Sequence, residues 1–203
     1  MTKKILSPAI PYITVSVGLF VFHNAWVAIL SYHVGMLIML FLARPGITVK
    51  QFVKSNNYPI PALTAVVGAG GGALLYFLWP FLLIPSDISA YTQSIGLVGR
   101  AWPLFLVYYV LVNPVLEEYY WRGYLGSQTR QVTFNDWLFG GYHVIVLAGK
   151  MGIVWLIVAF LLLSCGGWFW RQMNRLSQGL LPSVVSHVAA DITVMLTIYH
   201  ALG

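Results

Sequence analysis

Long apolar runs alternate with short polar breaks along this chain, and the runs have the length of membrane-spanning helices. A helix of about 20 apolar residues crosses the hydrocarbon. Tyr58–Leu83, Ala101–Leu116, Met151–Trp170 and Pro182–Leu202 each approach or exceed that length. Inside a bilayer every backbone polar group must be satisfied within the segment, which favours helices, and the period-2 alternation of a membrane barrel is absent. The first apolar region, Pro8–Ala43, would form a helix of about 54 Å at 1.5 Å per residue, too long for one upright crossing and short for two full ones.

The placement of charge resolves that region. With Lys3 and Lys4 cytoplasmic, a hairpin bending near His23–Asn24 returns Arg44, Lys50 and Lys54 to the same side. Tyr58–Leu83 then leads out to a loop at Pro85–Gly99 that holds Asp87, with Arg100 just beyond it. The Ala101 helix comes back toward Arg130, Asp136–Ala148 goes out to Lys150, Met151–Trp170 returns to Arg171 and Arg175, and the last helix exits. Only Arg100 and Lys150 fall outside, in accord with the positive-inside rule. The expected fold is an all-α polytopic transmembrane bundle of about 6–8 membrane segments, seven by the charge argument. It is read as a single transmembrane domain over 1–203, with N-terminal membrane segments at about 8–83 and a motif-bearing core at about 101–202.

Composition agrees with this reading. Apolar residues make up 59% of the 203 and charged residues 8%, against about 25% charged in a soluble domain. The net charge of +6 does not indicate nucleic acid, because Lys and Arg stand singly or in small groups between apolar runs, as topology determinants do. No basic stripe with interleaved aromatics appears. The single cysteine, Cys165, excludes a disulfide framework and is expected as a small packed side chain. No cleavable signal peptide is evident after Lys3 and Lys4. Gly68 and Gly72 form a small-residue face suited to close helix packing, and Trp79, Trp102, Trp168 and Trp170 are expected as interfacial anchors.

Of five acidic residues, two are adjacent, Glu117 and Glu118, at the end of an apolar run. Ionisable groups within spans are costly and point by default to function. Glu118 and Arg122 stand four apart and can pair on a helix, whereas Glu117 points about 100° away and is left a free carboxylate. The bland reading is that both glutamates only compensate Arg122 or border the headgroups. His143 lies in an apolar stretch one turn after Phe139, on the same face, and could equally be an interhelical hydrogen-bonding residue. His187 and Asp191 share another helical face and could merely tie helices together. Under the topology above, Glu117, His143 and His187 fall at compatible depths in the cytoplasmic half of the bilayer. His23, His33 and His200 have no acidic neighbours in sequence and are read as packing or interfacial residues. Pro114 is expected to kink its helix and free a carbonyl.

Taken in order, Glu-Glu-x-x-x-Arg at 117–122, Phe-x-x-x-His at 139–143 and His-x-x-x-Asp at 187–191 resemble the three motifs of the CPBP family. That family comprises CAAX prenyl endopeptidases of the Rce1 type and bacteriocin-processing or self-immunity proteins. The resemblance runs from Ala101 to about Ala201. It implies a glutamic-type intramembrane protease acting on a membrane-associated protein or peptide. Glu117 and His143 would activate a water, and His187 with Asp191 would hold the oxyanion. Glu118, Arg122 and Phe139 would support them. The chemistry is sound: a carboxylate and an imidazole sharing a water can take its proton as it attacks a carbonyl, and one well-placed oxyanion donor is worth about 3 kcal/mol. Relatives often carry Asn where this chain has Asp191. An ionised Asp only accepts, so Asp191 is expected to fix the tautomer of His187 and leave donation to the imidazole.

Glu117, His143 and His187 are also ligands of the kind that hold zinc with a bound water. No His-Glu-x-x-His element is present, and a mechanism without metal or cofactor is expected. The alternative class is a non-catalytic membrane immunity or scaffold protein that binds a peptide partner. A proton-coupled or metal transporter fits less well, because the chain is short and lacks repeat symmetry.

Overall fold

The computed structural model describes residues 4, 6–82 and 88–201. Lys3, Leu83, Pro85, Asp87 and Leu202 lie outside the described residues. Among those described there are helices and no strands, and each of the seven expected segments contains a helix. α1 (Ala9–Ser16) continues as a π-helical turn, Val17–Val21. The chain then turns at His23, whose φ is +47°, and re-enters as α2 (Ala25–Ala43), capped by the Asn24 side chain accepting from the Val27 amide at 3.0 Å. The hairpin bend therefore falls where the charges placed it. A short α3 (Val49–Phe52) precedes α4 (Pro59–Leu78), and α5 (Ile88–Ser94) lies in the stretch expected as a loop. α6 (Ala101–Glu117) passes into a π-helical segment, Glu118–Tyr124, followed by α7 (Phe134–Leu147), α8 (Ile153–Ser177) and α9 (Leu181–Ala201).

Four helical stretches, Ala25–Ala43, Pro59–Phe81, Ile153–Ser177 and Leu181–Ala201, are long and apolar enough to cross a membrane, and Ala9–Val21 is a shorter apolar one. Their outer faces carry exposed Leu, Ile, Val and Phe, which water would not favour and lipid does. This is a helical integral membrane protein.

The two ends of the bundle are tied by different contacts. At one end the turn between α1 and α2 meets α5: the Ala25 amide donates to the Ile95 carbonyl at 2.9 Å, and Lys150 lies over the Tyr91 ring at 4.1 Å. Those contacts explain why part of Pro85–Gly99 is helical rather than a free loop. At the other end the Leu180 amide donates to Gln51 and the Asn56 amide to Ser177, at 2.8 and 2.9 Å.

α4 packs against α9 through the small-residue face read from the sequence. A Cβ added at Gly68 would collide with the Ser186 backbone, and one at Gly72 with Thr193. Gly70 and Gly71 have no atom within 4 Å of the same position. Two other expectations change. Trp170 is not an interfacial anchor but is buried, because α8 runs on past it to Ser177. Cys165 is exposed on the outer face of α8 rather than packed.

Gly68→Val and Gly72→Val should each destabilise the protein by about 1–3 kcal/mol through overpacking, read as a lower midpoint of unfolding in detergent. Gly70→Ala and Gly71→Ala, whose Cβ would meet open space, should not lower the midpoint and should raise stability by up to about 1 kcal/mol each, since Ala is the better helix former.

Candidate active site

The site forms where α6 changes its winding. Glu117 closes the α-helical part, and Glu118 opens the π-helical segment. Such widened turns recur at functional sites. Here the turn directs Glu118, Tyr120, Trp121 and Arg122 into the interior together. Glu117 is 1% exposed and Glu118 fully buried.

Arg122 Nη1 donates to Glu118 Oε1 at 3.1 Å. The guanidinium also lies 3.8 Å from the centroid of the Phe139 ring and 4.9 Å from that of Trp170. Aromatic faces stabilise a desolvated cation, which gives Phe139 a physical role beyond filling space. Its carbonyl has a second role, accepting from His143 Nδ1 at 2.8 Å.

His187 comes from α9 and is stacked on Trp170 with ring centroids 4.5 Å apart. Its Nδ1 donates to Glu118 Oε1 at 2.9 Å. Its Nε2 faces two carboxylates without bonding either: Glu117 Oε2 at 3.7 Å and Asp191 Oδ1 at 3.6 Å. The expectation that Asp191 sets the tautomer of His187 therefore changes, since Glu118 holds Nδ1. One carboxylate thus serves both Arg122 and His187.

The two oxygens of Glu117 differ in kind. Oε1 is hydrogen-bonded to the Tyr142 hydroxyl. Oε2 is buried with no hydrogen-bond partner among the described residues. An orphaned carboxylate oxygen in a dry interior is costly, and beside His187 Nε2 it marks a place for a polar guest. His143 does not meet Glu117 directly; its Nε2 lies 3.1 Å from the Tyr142 hydroxyl. Among the described residues no three His, Cys, Asp or Glu side chains are grouped so as to hold a metal ion.

Asp191 is held from the other side. Asn113 Nδ2 donates to Asp191 Oδ2 at 3.5 Å, and Asn113 Oδ1 lies 3.1 Å from His33 Nε2. His33 Nδ1 is in turn 2.7 Å from the Tyr108 hydroxyl. The bonding order in this chain follows from Asn113. Its Oδ1 can only accept, so His33 Nε2 donates and Nδ1 accepts from Tyr108. His33, read as a packing residue, is buried and linked to the motif residues. Its signal in the sequence was its place as an ionisable group inside an apolar run. Asn113 was detectable too, standing one turn before Glu117 on the same face. Tyr142 gave no signal, because adjacent helical residues point about 100° apart and its reach toward Glu117 depends on how α6 and α7 are placed.

Apolar crossing helices and a buried acid–imidazole cluster define the class: an integral membrane protein that gathers ionisable side chains between its helices. The family model described as type II CAAX prenyl endopeptidase Rce1-like matches residues 99–193, just under half the chain and all three motifs, so over that stretch the chain is similar to that family, in line with the motif resemblance. No curated protein and no solved structure matches the chain.

Arg122→Met should strand the Glu118 charge in the interior and destabilise the protein by about 3–5 kcal/mol, measured by denaturant unfolding in micelles. Arg122→Met combined with Glu118→Gln should recover part of that loss.

Proposed function

We propose that the chain is a glutamic-type intramembrane endopeptidase that hydrolyses a peptide bond in a membrane-associated protein or peptide without a metal. Glu117 and His143 activate the attacking water, and His187 stabilises the oxyanion. The observation that carries this reading is the unpartnered Glu117 Oε2, 3.7 Å from His187 Nε2. A water seated on that oxygen would lose its proton to the carboxylate while its oxygen attacks the substrate carbonyl. The carbonyl oxygen, gaining negative charge, would be met by His187 Nε2–H. Donation from Nε2 requires the imidazolium, since Nδ1 already gives its hydrogen to Glu118; Glu117 and Asp191 stand where they balance that charge. Asp191 cannot donate to an oxyanion, so its part is electrostatic and positional. His143 Nε2 faces Tyr142 rather than Glu117 and His187, which favours the metal-free reading over a zinc site built from these three.

The family match makes a prenylated C-terminal peptide the first substrate class to offer. We read the N-terminus and the motif-bearing half of the bundle as cytoplasmic, because that orientation keeps most Lys and Arg on the inner side.

The test is cleavage by the full chain in liposomes. A farnesylated peptide ending in a CAAX sequence, its unprenylated twin and a set of single-span peptides are offered with and without chelator, and products are read by mass spectrometry. Wild type should yield products insensitive to chelator. Glu117→Gln should reduce them by at least about 100-fold at normal expression. Undiminished cleavage by Glu117→Gln would overturn the assignment of the base. Loss with chelator would overturn the metal-free mechanism. No product from folded wild type would favour the peptide-binding alternative.

A further inference from the structure

Glu117 and His143 are joined through a residue at an unspecified position of the second motif, Tyr142. The Tyr142 hydroxyl contacts Glu117 Oε1 on one side and His143 Nε2 on the other, the latter at 3.1 Å. Its ring cannot turn away. It is stacked on Trp121 (centroids 5.8 Å apart, planes 4° apart), lies 4.1 Å from the His143 ring and 5.5 Å from Tyr32, and is 3% exposed.

Counting hydrogens shows what this contact requires. His143 Nδ1 faces the Phe139 carbonyl at 2.8 Å, an acceptor only, so the ring's hydrogen is on Nδ1. Nε2, the phenol oxygen and Glu117 Oε1 then form two contacts in series, and these need two hydrogens. The phenol provides one. The other belongs to Glu117 or to His143. In one form, neutral Glu117 donates to the phenol oxygen and the phenol donates to Nε2. In the other, imidazolium Nε2–H donates to the phenol oxygen and the phenol donates to a carboxylate. The forms interconvert when the hydrogen on Oε1 moves to the phenol oxygen as the phenol hydrogen moves to Nε2. Tyr142 is unchanged, one positive charge appears on His143 and one negative charge on Glu117.

We propose that Tyr142 is a positioning residue that couples Glu117 to His143 by proton relay, so that the base acting on water is a three-residue chain. This rests on the reading of Glu117 as the base. It assigns His143 a task at a distance: by holding the hydrogen it leaves Glu117 ionised, with Oε1 engaged by Tyr142 and Oε2 free for the water. A purely packing Tyr142 would fill the slot between Trp121 and His143 equally well without its hydroxyl.

Two measurements on the full chain test the proposal. In nanodiscs with 15N-labelled histidine, the His143 resonances are assigned by their loss in His143→Gln. Glu117→Gln should move them in the Tyr142 background and leave them in place in the Tyr142→Phe background. The His187 resonances report an intact fold. A His143 response that persists in Tyr142→Phe, or is missing with Tyr142 present, overturns the relay. If Tyr142→Phe does not fold, 3-fluorotyrosine at 142 keeps ring and hydroxyl but acidifies the phenol; the His143 resonances should then move, and no movement overturns the relay.

The second measurement is cleavage of the farnesylated peptide. Tyr142→Phe should lower kcat by about 100-fold with KM within about twofold. Adding His143→Gln should cost little more, because groups acting as one unit are non-additive. Equal loss through KM, or additive losses, overturns the relay. Coupled resonances without any cleavage would sink the protease reading and keep the relay, whereas Glu117-dependent cleavage without coupling would sink the relay alone.

Discussion

Arg122 and Glu118 are an ion pair in a place that water does not reach, and the cost of leaving either partner alone constrains the surrounding helices. Taking an ion out of water costs several kcal/mol even after the protein relaxes. The bundle offsets that cost with contacts from three helices. Glu118 answers Arg122 from the same segment, Phe139 of α7 and Trp170 of α8 offer ring faces, and His187 of α9 adds a second bond to Glu118 Oε1. Because Glu118 Oε1 bonds both Arg122 and His187, the rotation of α9 about its axis is tied to that of the π-helical segment. Glu117, next in sequence, then faces His187 Nε2 from the opposite side.

A second buried pair sets the helix that carries the second motif. Arg171 of α8 meets Asp136 at 2.7 Å and also donates to the carbonyls of Thr129 and Gln131. Asp136 caps α7 by accepting from the Thr133 amide and hydroxyl. One guanidinium therefore gathers the connection between the first two motifs and fixes where α7 begins. His143 lies nine residues into that helix, Glu117 seven before Tyr124 and His187 six into α9. At 1.5 Å per residue these positions are roughly 9–14 Å from one end of the bundle, so similar offsets bring them level.

The N-terminal hairpin, outside the stretch that matches the family model, is part of the site's framework. Tyr32 accepts from Trp121 Nε1 at 3.0 Å beside Tyr142, and His33 sets the orientation of the Asn113 amide that faces Asp191. A hydrogen-bonded chain of fixed direction thus runs from α2 to the third motif. The hairpin places polar groups against the motif helices while its outer face meets lipid.

What the sequence determined alone is periodic or compositional. Segment length and charge placement specified a helical membrane bundle and the bend at His23–Asn24, since transfer of apolar residues and positive charges to opposite environments is read residue by residue along the chain. The spacing of Glu118 and Arg122, and of Gly68 and Gly72, was legible because each pair lies on one face of one helix. Contacts between helices were not. That Glu118 rather than Asp191 holds His187, that Trp170 and His33 turn inward, and that Tyr142 stands between Glu117 and His143 depend on the rotation and offset of helices far apart in sequence. Those are set jointly by the need to leave no buried charge unpaired and by packing small faces such as Gly68 and Gly72, and neither is a property of a single segment.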